Sequence, residues 1–518
     1  MKFVADLHLH SKYSRAVSQQ MILPNMANWA KLKGINVLAT SDFTHPFWFE
    51  ALKAGLEEAG NGLYRLKLRE SSPVIASEAK QSKILNQVQD DNKGIATSSS
   101  TTRNDIYFLP SAEVSSIYSQ GGKVRRIHTL FMFPSLESVD KFNKELIKRR
   151  ANLRSDGRPI VGIPSRELAK IALDCDERAL VIPAHAWTPW FSIFGSFSGF
   201  DSVEECFGDM APYIYGIETG LSSDPAMNWQ VKDLDNRSIL SFSDAHSLEK
   251  MGREVTVFEA SSISYQAIFD AIKGTPSFAN ASEDKKVTKE PKEPNVEKTS
   301  GSSGSSVTSV TSKIAFTIEF YPEEGKYHFT GHRNCNFSQS PQDSAKNGDI
   351  CPVCKRPLTV GVMHRVKELA SRAISNFPAR LRIAEGKSGR QFPISNDGIR
   401  WCKSENGRPP YVNLVPLGEI LAEAFGVGVG TQKVKDVYMT LVSNLGSEFG
   451  VLMRSSIQDI ARFSSGHVAE SVSKVRQGDI VIEPGYDGKF GVVKIWPETK
   501  IELDEESRSP ESQLNLFA

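Results

Sequence analysis

The first residues able to do chemistry stand at positions 8 and 10 of MKFVADLHLH, where Phe3, Ala5, Leu7 and Leu9 alternate with Val4, Asp6, His8 and His10. A period of two puts both imidazoles on one face of a strand, about one ligand sphere apart. The same grammar recurs down the first half of the chain. An apolar run ends in a ligand-competent side chain in INVLATSDFTH (Asp42, His45), YFLPSAE (Glu113), VRRIH (His128), ALVIPAH (His185) and SILSFSDAH (Asp244, His246). A lone histidine at a strand end is ordinarily a hydrogen-bonded structural residue. A His, Asp or Glu at strand end after strand end is a set. Neutral imidazoles and carboxylates gathered at one mouth suit clustered divalent metals of the zinc or manganese kind.

A second ligand set lies in the other half. GHRNC and CPVC supply His332, Cys335, Cys351 and Cys354, four soft ligands in two knuckles that suit tetrahedral structural zinc, with His328 as a substitute for His332. Cys175, Cys206 and Cys402 are isolated and read as ordinary thiols. Lys326, Arg333, Lys355, Arg356, Arg365 and Lys367 surround the knuckles, and a further basic run from Arg372 to Arg390 follows. Such density suits a phosphate backbone or a solvated face. Arg125 and Arg126, beside His128, could steady a phosphate or form a strand edge. The loop AWTPWFSIFGSFSGF carries Trp187, Trp190 and Phe191 among other aromatics. At a barrel mouth it would suit stacking of a nucleobase; the other reading is a loop packed on its own small core.

Elements must hold these groups in place. A helix is expected over 24–33, with Pro24 near its first turn and Gly34 just past its end, and others over 138–150 and 165–173. Strand–helix alternation argues an α/β fold with a parallel sheet, and ligands at successive strand C-termini argue a barrel whose strand ends converge. Residues 1–280 form that barrel, interrupted at about 71–105 by a Ser/Thr/Gln/Asn-rich insertion. A charged, then Gly/Ser-rich tether covers 281–312, a basic zinc-binding module 313–400, a helical region with a hairpin 401–500, and a tail 501–518. The length, 518 residues, allows such a multi-domain layout, while a net charge of +1 leaves nucleic-acid binding to local patches. No apolar run reaches bilayer-spanning length and the N-terminus has no signal-peptide pattern, so no membrane partner and a cytoplasmic, nucleoid-associated location are expected.

DLHLH, SDFTH, a Glu, single His residues and a late SDAH together resemble the PHP domain, a distorted, TIM-like (β/α)7 barrel that holds up to three metals and cuts phosphate esters. By that resemblance His8, His10, Glu113 and Asp244 hold the first metal. Glu113 bridges to a second, completed by His128 and His185. His246 holds a third with Asp42 or His45, and catalytic roles fall to Asp244, Glu113 and His185. Phe43 stands where many members have a histidine, and SKYS replaces another. The ions would be Zn, Mn or Mg, two or three of them, besides one structural zinc; such ions lower the pKa of a shared water and stabilise charge on an attacked phosphate. With IEFYPEEGKYHFTGHRNC, CPVC, AHAWTPWFSIFGS, ETGLSSDP and PGYDGKFGVVKI in this order, nearly the whole chain resembles the endonuclease Q family. The resemblance implies a metal-dependent nickase in DNA repair. It would cut double-stranded DNA 5′ to uracil, hypoxanthine, xanthine or abasic sites, with Trp187, Trp190 and Phe191 around the extruded lesion. The alternative is a PHP phosphatase acting on a small phosphomonoester. Near the end, QLNLF resembles the pentapeptide by which bacterial proteins dock on the sliding clamp, with Leu514, Leu516 and Phe517 in apolar pockets and Gln513 as the polar anchor.

Overall fold

The computed structural model describes residues 1–67, 106–274, 312–371, 395, 398–404 and 406–497. The insertion at 71–105, tether residues 281–311, the basic run from Arg372 to Arg390 and the clamp-like Gln513, Leu514, Leu516 and Phe517 lie outside these residues.

The strands of the first half are β1 (Lys2–Asp6), β2 (Val37–Ala39), β3 (Leu56–Glu58), β4 (Tyr64–Leu66), β5 (Tyr107–Leu109), β6 (Ser111–Gln120), β7 (Lys123–Met132), β8 (Ile160–Val161), β9 (Leu180–Pro183), β10 (Gly216–Glu218), β11 (Ser238–Leu240) and β12 (Val255–Glu259). β1, β2 and β5 are parallel neighbours, and so are β10 and β11. Between them β6 and β7 form a long antiparallel hairpin about Gly121 and Gly122, both at positive φ, and β9 adds antiparallel to β7. Isolated backbone bonds join these separate sheets into a ring, among them the Phe133 amide to the Pro110 carbonyl between the ends of β7 and β5. The Ala186 amide donates to the Glu218 carbonyl, linking β9 to β10, and Leu9 pairs with Ala245, linking the end of β11 back to β1. The result is a mixed, distorted barrel rather than the all-parallel sheet that strand–helix alternation suggests. The β6–β7 hairpin sits where a helical crossover would have been needed.

Helices Leu23–Lys33, Leu136–Lys148 and Ser165–Cys175 cover the outside, each within two residues of its expected start. The first ends on Gly34 at φ +88, and a Cβ there would also lie 2.6 Å from Ser447 Oγ. Both its left-handed backbone and the close approach of the C-terminal region require glycine. Buried apolar side chains fill the barrel and its helical jacket, with Phe3, Phe108, Phe131 and Phe142 among the largest.

The chain beyond the tether does not begin as a separate module. β13 (Lys313–Glu319) pairs antiparallel with β12, extending the sheet that contains β1. β14 (Thr330–His332) and β15 (Phe337–Gln339) then form a small hairpin, and β16 (Tyr411–Asn413) adds parallel to β13. Helices Leu417–Phe425, Gln432–Leu445, Glu448–Met453, Ile457–Phe463 and Gly466–Gln477 follow, then the expected hairpin, β17 (Val481–Glu483) with β18 (Val492–Lys494). This helical region docks on the barrel through a buried pair, Lys33 Nζ to Glu448 Oε2 at 2.7 Å. Glu448 also accepts from Tyr438 Oη and the Leu417 amide, so the carboxylate is compensated by three donors.

Candidate metal centre

The barrel mouth gathers side chains from strand ends far apart in sequence. His8 and His10 leave β1 on one face, as their alternation requires. Their Nε2 atoms lie 3.6 and 3.4 Å from Glu113 Oε2, and 3.5 and 3.1 Å from Asp244 Oδ1. Glu113 turns its other oxygen the opposite way: Oε1 is 2.6 Å from His128 Nδ1 and 3.1 Å from His185 Nε2, and these two nitrogens are 3.2 Å apart. His10, Asp244 and His246 form a third group, with His246 Nδ1 3.7 Å from Asp244 Oδ1. The ligand atoms of His8, His10 and Glu113, of Glu113, His128 and His185, and of His10, Asp244 and His246 lie within 4.8 Å of one another in each set.

Three observations test whether metal ions fit. The edge of a tetrahedron with bonds of about 2.1 Å is about 3.4 Å, and the ligand-to-ligand distances fall around that value. His8 Nε2 is buried yet has no hydrogen-bond partner among the described residues, a polar atom aimed at a point that carboxylates also face. Burial by itself would lower the pKa of His8 and His10, but the facing carboxylates hold both well above the usual histidine value. Burial would likewise raise Glu113 and Asp244; His128 and Arg158 around the first, and His8 and His10 around the second, hold them below the usual carboxylate range. Charges arranged to draw protons onto the imidazoles would draw a divalent cation equally. The residues fit the group.

Behind the ligands stands a second layer. Both oxygens of Glu218 meet His8 Nδ1, at 2.9 and 3.0 Å, and Glu218 Oε2 also accepts the His185 amide at 2.8 Å. Asp42 meets His10 Nδ1 at 3.2 Å, while Ser11 N, Ser11 Oγ and Ser14 Oγ donate to its Oδ2 at 2.7, 2.6 and 2.9 Å. Thr188 Oγ1 lies 3.2 Å from His185 Nδ1. A partner on Nδ1 turns each Nε2 into the mouth, the usual way a carboxylate orients a ligating histidine. Asp42, His185 and Asp244 all adopt positive φ (38°, 29° and 47°), so the strand ends hold strained backbone at the positions that aim the ligands.

Several expectations change. Asp42 does not complete the third group; it lies behind His10, saturated by hydroxyl and amide donors. His45 does not join either: its ring stacks on Tyr13 with centroids 4.4 Å apart. Phe43, in the histidine's place, is buried in the core against Phe133 and Phe142. Arg125 is withdrawn from the mouth, its guanidinium bonded to the Gly199 carbonyl and to Glu205 and stacked 4.0 Å from the Phe200 centroid. Arg126 lies 5.9 Å from the Phe191 ring. The guanidinium that does enter is Arg158, 3.1 Å from Glu113 Oε2, on a loop with no pattern to single it out. Glu218 was also missed, although it ends β10 by the same grammar that marked the ligands.

The aromatic loop splits in two. Trp187 is fully buried, donates to Asn228 Oδ1 at 2.7 Å and packs on Phe194; it belongs to the core and cannot line an open pocket. Phe191 lies against the His128 ring at 4.8 Å, and Trp190 stacks on the half-exposed Phe197 at 4.6 Å with Tyr327 at its edge.

In the other half His332, Cys335, Cys351 and Cys354 converge. His332 closes β14, Cys335 closes the turn Arg333–Cys335, and the CPVC loop turns back so that the Cys351 amide donates to the Arg356 carbonyl and the Lys355 amide to that of Cys351. Burial would raise the Cys351 thiol, but the backbone amides of Cys354 and Val353 donate to it and bring it down to about 6. His328, the substitute ligand, is buried outside this group.

Comparisons with known proteins agree with this layout. Residues 416–479 match a family model described as the MJ0043 C-terminal domain, and residues 240–275 one described as PHP-associated. The uncharacterized protein MJ0043 of Methanocaldococcus jannaschii is 27% identical over 316 residues, which cover 61% of this chain but only 32% of that protein. The uncharacterized protein YqxK of Bacillus subtilis is 26% identical over 370 residues, 71% of this chain and 74% of its own. The lesion-specific endonuclease PfuEndoQ of Pyrococcus furiosus superposes with a TM-score of 0.68 and 27% identity, over 95% of each chain. An endonuclease Q bound to a 27-mer duplex with an abasic lesion at its active site superposes with a TM-score of 0.67 and 28% identity, over 97% of this chain and 100% of that one.

Proposed function

Because this chain belongs to the endonuclease Q family, we propose that it is a metal-dependent DNA repair endonuclease that nicks duplex DNA on the 5′ side of deaminated bases or abasic sites. The observation that carries the reading is Glu113, one buried carboxylate that serves two ligand groups with its two oxygens. Ions held by His8, His10, Glu113 and Asp244, and by Glu113, His128 and His185, would supply a water of lowered pKa and positive charge beside the scissile phosphate, and His246 would hold a third beside Asp244.

The chain's own residues do the rest. Glu218 and Asp42 keep the His8 and His10 rings turned inward. Arg158, a quarter exposed beside Glu113, is placed to hold a phosphate oxygen as the charge on it grows. Phe191 and Trp190 line the approach and offer ring faces to a base turned out of the duplex; a mispaired or missing base costs least to extrude. Arg365 donates to the Phe194 and Phe200 carbonyls, so the knuckle-bearing half braces the aromatic loop from behind. The Cys3His group takes one structural zinc.

The test is a labelled duplex with a single dU or dI, incubated with Mg²⁺, Mn²⁺ or Zn²⁺. One break 5′ to the lesion, lost in EDTA, is expected. Intact strands together with phosphate release from a small ester would replace this reading by the phosphomonoesterase. For the tail, we propose that QLNLF tethers the enzyme to the sliding clamp, raising its effective concentration at replicated DNA. Removing residues 513–518 should abolish clamp binding by surface plasmon resonance and leave nicking of a short free duplex unchanged; undiminished clamp affinity would refute the tether.

A further inference from the structure

Beside Asp42 three segments are laced together: the loops 11–16 and 152–158, and 42–47, which runs into the helix Pro46–Gly55. The Gly157 amide donates to the Tyr13 carbonyl at 3.0 Å, and Thr44 Oγ1 donates to the Gly157 carbonyl at 3.0 Å. Their side chains form an aromatic ladder with cations on its rings. Tyr13 stacks on His45 (4.4 Å, 22°), His45 lies 5.8 Å from Phe47, and Phe47 is 59% exposed. Lys12 Nζ sits 5.7 Å from the Tyr13 centroid, and the Arg154 guanidinium 5.7 Å from that of Phe47. Buried His45, whose pKa burial lowers, leaves Nδ1 without a hydrogen-bond partner among the described residues.

This ladder is physically continuous with the metal centre. Ser11 and Ser14, which clamp Asp42 behind His10, flank Lys12 and Tyr13. Arg154 and Arg158 lie on one loop, with Phe47 under the first and Glu113 beside the second. Four residues span at most about 14 Å, which is about four nucleotides at ~3.4 Å of rise per step. Ring faces with interleaved cations are what a single-stranded segment needs. Any base can stack on them, whereas a paired base keeps its faces covered.

We infer that Phe47 and Tyr13, backed by the buried His45 ring, form with Lys12 and Arg154 a second DNA contact that stacks an unpaired nucleotide of the cleaved strand a few positions from the scissile phosphate. The inference rests on the endonuclease reading and extends it: the enzyme would hold the strand at a second aromatic contact besides Phe191 and Trp190. The partner is a DNA strand on grounds of charge and of the short loop that joins Arg154, over Phe47, to Arg158, beside Glu113.

The test uses the full chain in EDTA with lesion duplexes carrying 2-aminopurine at successive positions either side of the lesion. One position should change fluorescence on binding through Phe47, and Phe47→Ala should abolish that change. The same variant should weaken lesion-duplex binding about tenfold. Arg154→Gln should weaken binding and reduce the salt slope of log Kd by about one. With metal restored, kcat/KM on the lesion duplex should fall in step with the loss of binding in both variants. Variants that bind as the parent does, with every probe position unaltered, would overturn the inference. If the parent itself neither binds nor nicks lesion DNA, the endonuclease reading falls and this contact with it. If the parent nicks and Phe47→Ala behaves identically, this contact alone falls.

Discussion

Glu113→Gln should abolish strand cleavage, with a fall in kcat of about 10³-fold or more, while lesion-duplex binding measured by fluorescence anisotropy stays within a fewfold of the parent. The side chain keeps its shape but loses the charge that faces His8 and His10 through Oε2 and His128 and His185 through Oε1. An ion beside the attacked phosphate is worth several kcal/mol of transition-state stabilisation, and each 1.36 kcal/mol is a factor of ten. The metal content of the purified protein should fall by more than one equivalent, because the two groups share this carboxylate. Asp244→Asn, which touches the first and third groups but not the second, should lose cleavage and retain part of the metal. Cleavage by Glu113→Gln within tenfold of the parent would show that the bridging geometry is not the catalytic one.

Cys351→Ser should have the largest effect outside the barrel. It should remove one equivalent of zinc, lower the melting temperature and make 328–359 the first segment to exchange amide hydrogens. Structural zinc contributes roughly 10–16 kcal/mol of apparent binding energy in small modules, more than the apolar core around these knuckles can replace. The loss would spread, because the knuckles hold the terminal hairpin. The Arg333 amide donates to Asp487 at 2.7 Å, Thr359 Oγ1 to the same carboxylate at 2.6 Å, and the Phe329 amide to the Gly485 carbonyl at 2.9 Å. Arg365, which braces the aromatic loop, lies on the following helix, Val362–Leu369. Affinity for lesion DNA should therefore fall by at least tenfold, with metal still bound in the barrel. Unchanged zinc content and an unchanged melting temperature would show that these four residues do not hold a structural ion.

The sequence by itself determined whatever depends on short range. Alternation in DLHLH puts His8 and His10 on one face, HxxC and CxxC each bring two soft side chains within reach of one another, and the Pro24-to-Gly34 span delimits a helix. Strand ends rich in His, Asp and Glu were enough to locate a mouth. The roles of those residues were decided by tertiary structure. Asp42, adjacent to strand-end ligands in every sequence pattern, turned behind His10 because three donors from 11–14 captured one of its oxygens. Trp187 went to the core and Phe191 to the mouth although four positions separate them, since a non-repeating loop has no period from which to read a facing direction. Arg158 reaches Glu113 across 45 residues and Glu218 reaches His8 across 210. β13 joined the barrel sheet across the tether, where the backbone edge of β12 needed a partner that composition does not reveal. Spacing encodes which side chains share a face of one element. Which faces meet is set by closure of the barrel, and that depends on registers between strands rather than on any residue's neighbours in the chain.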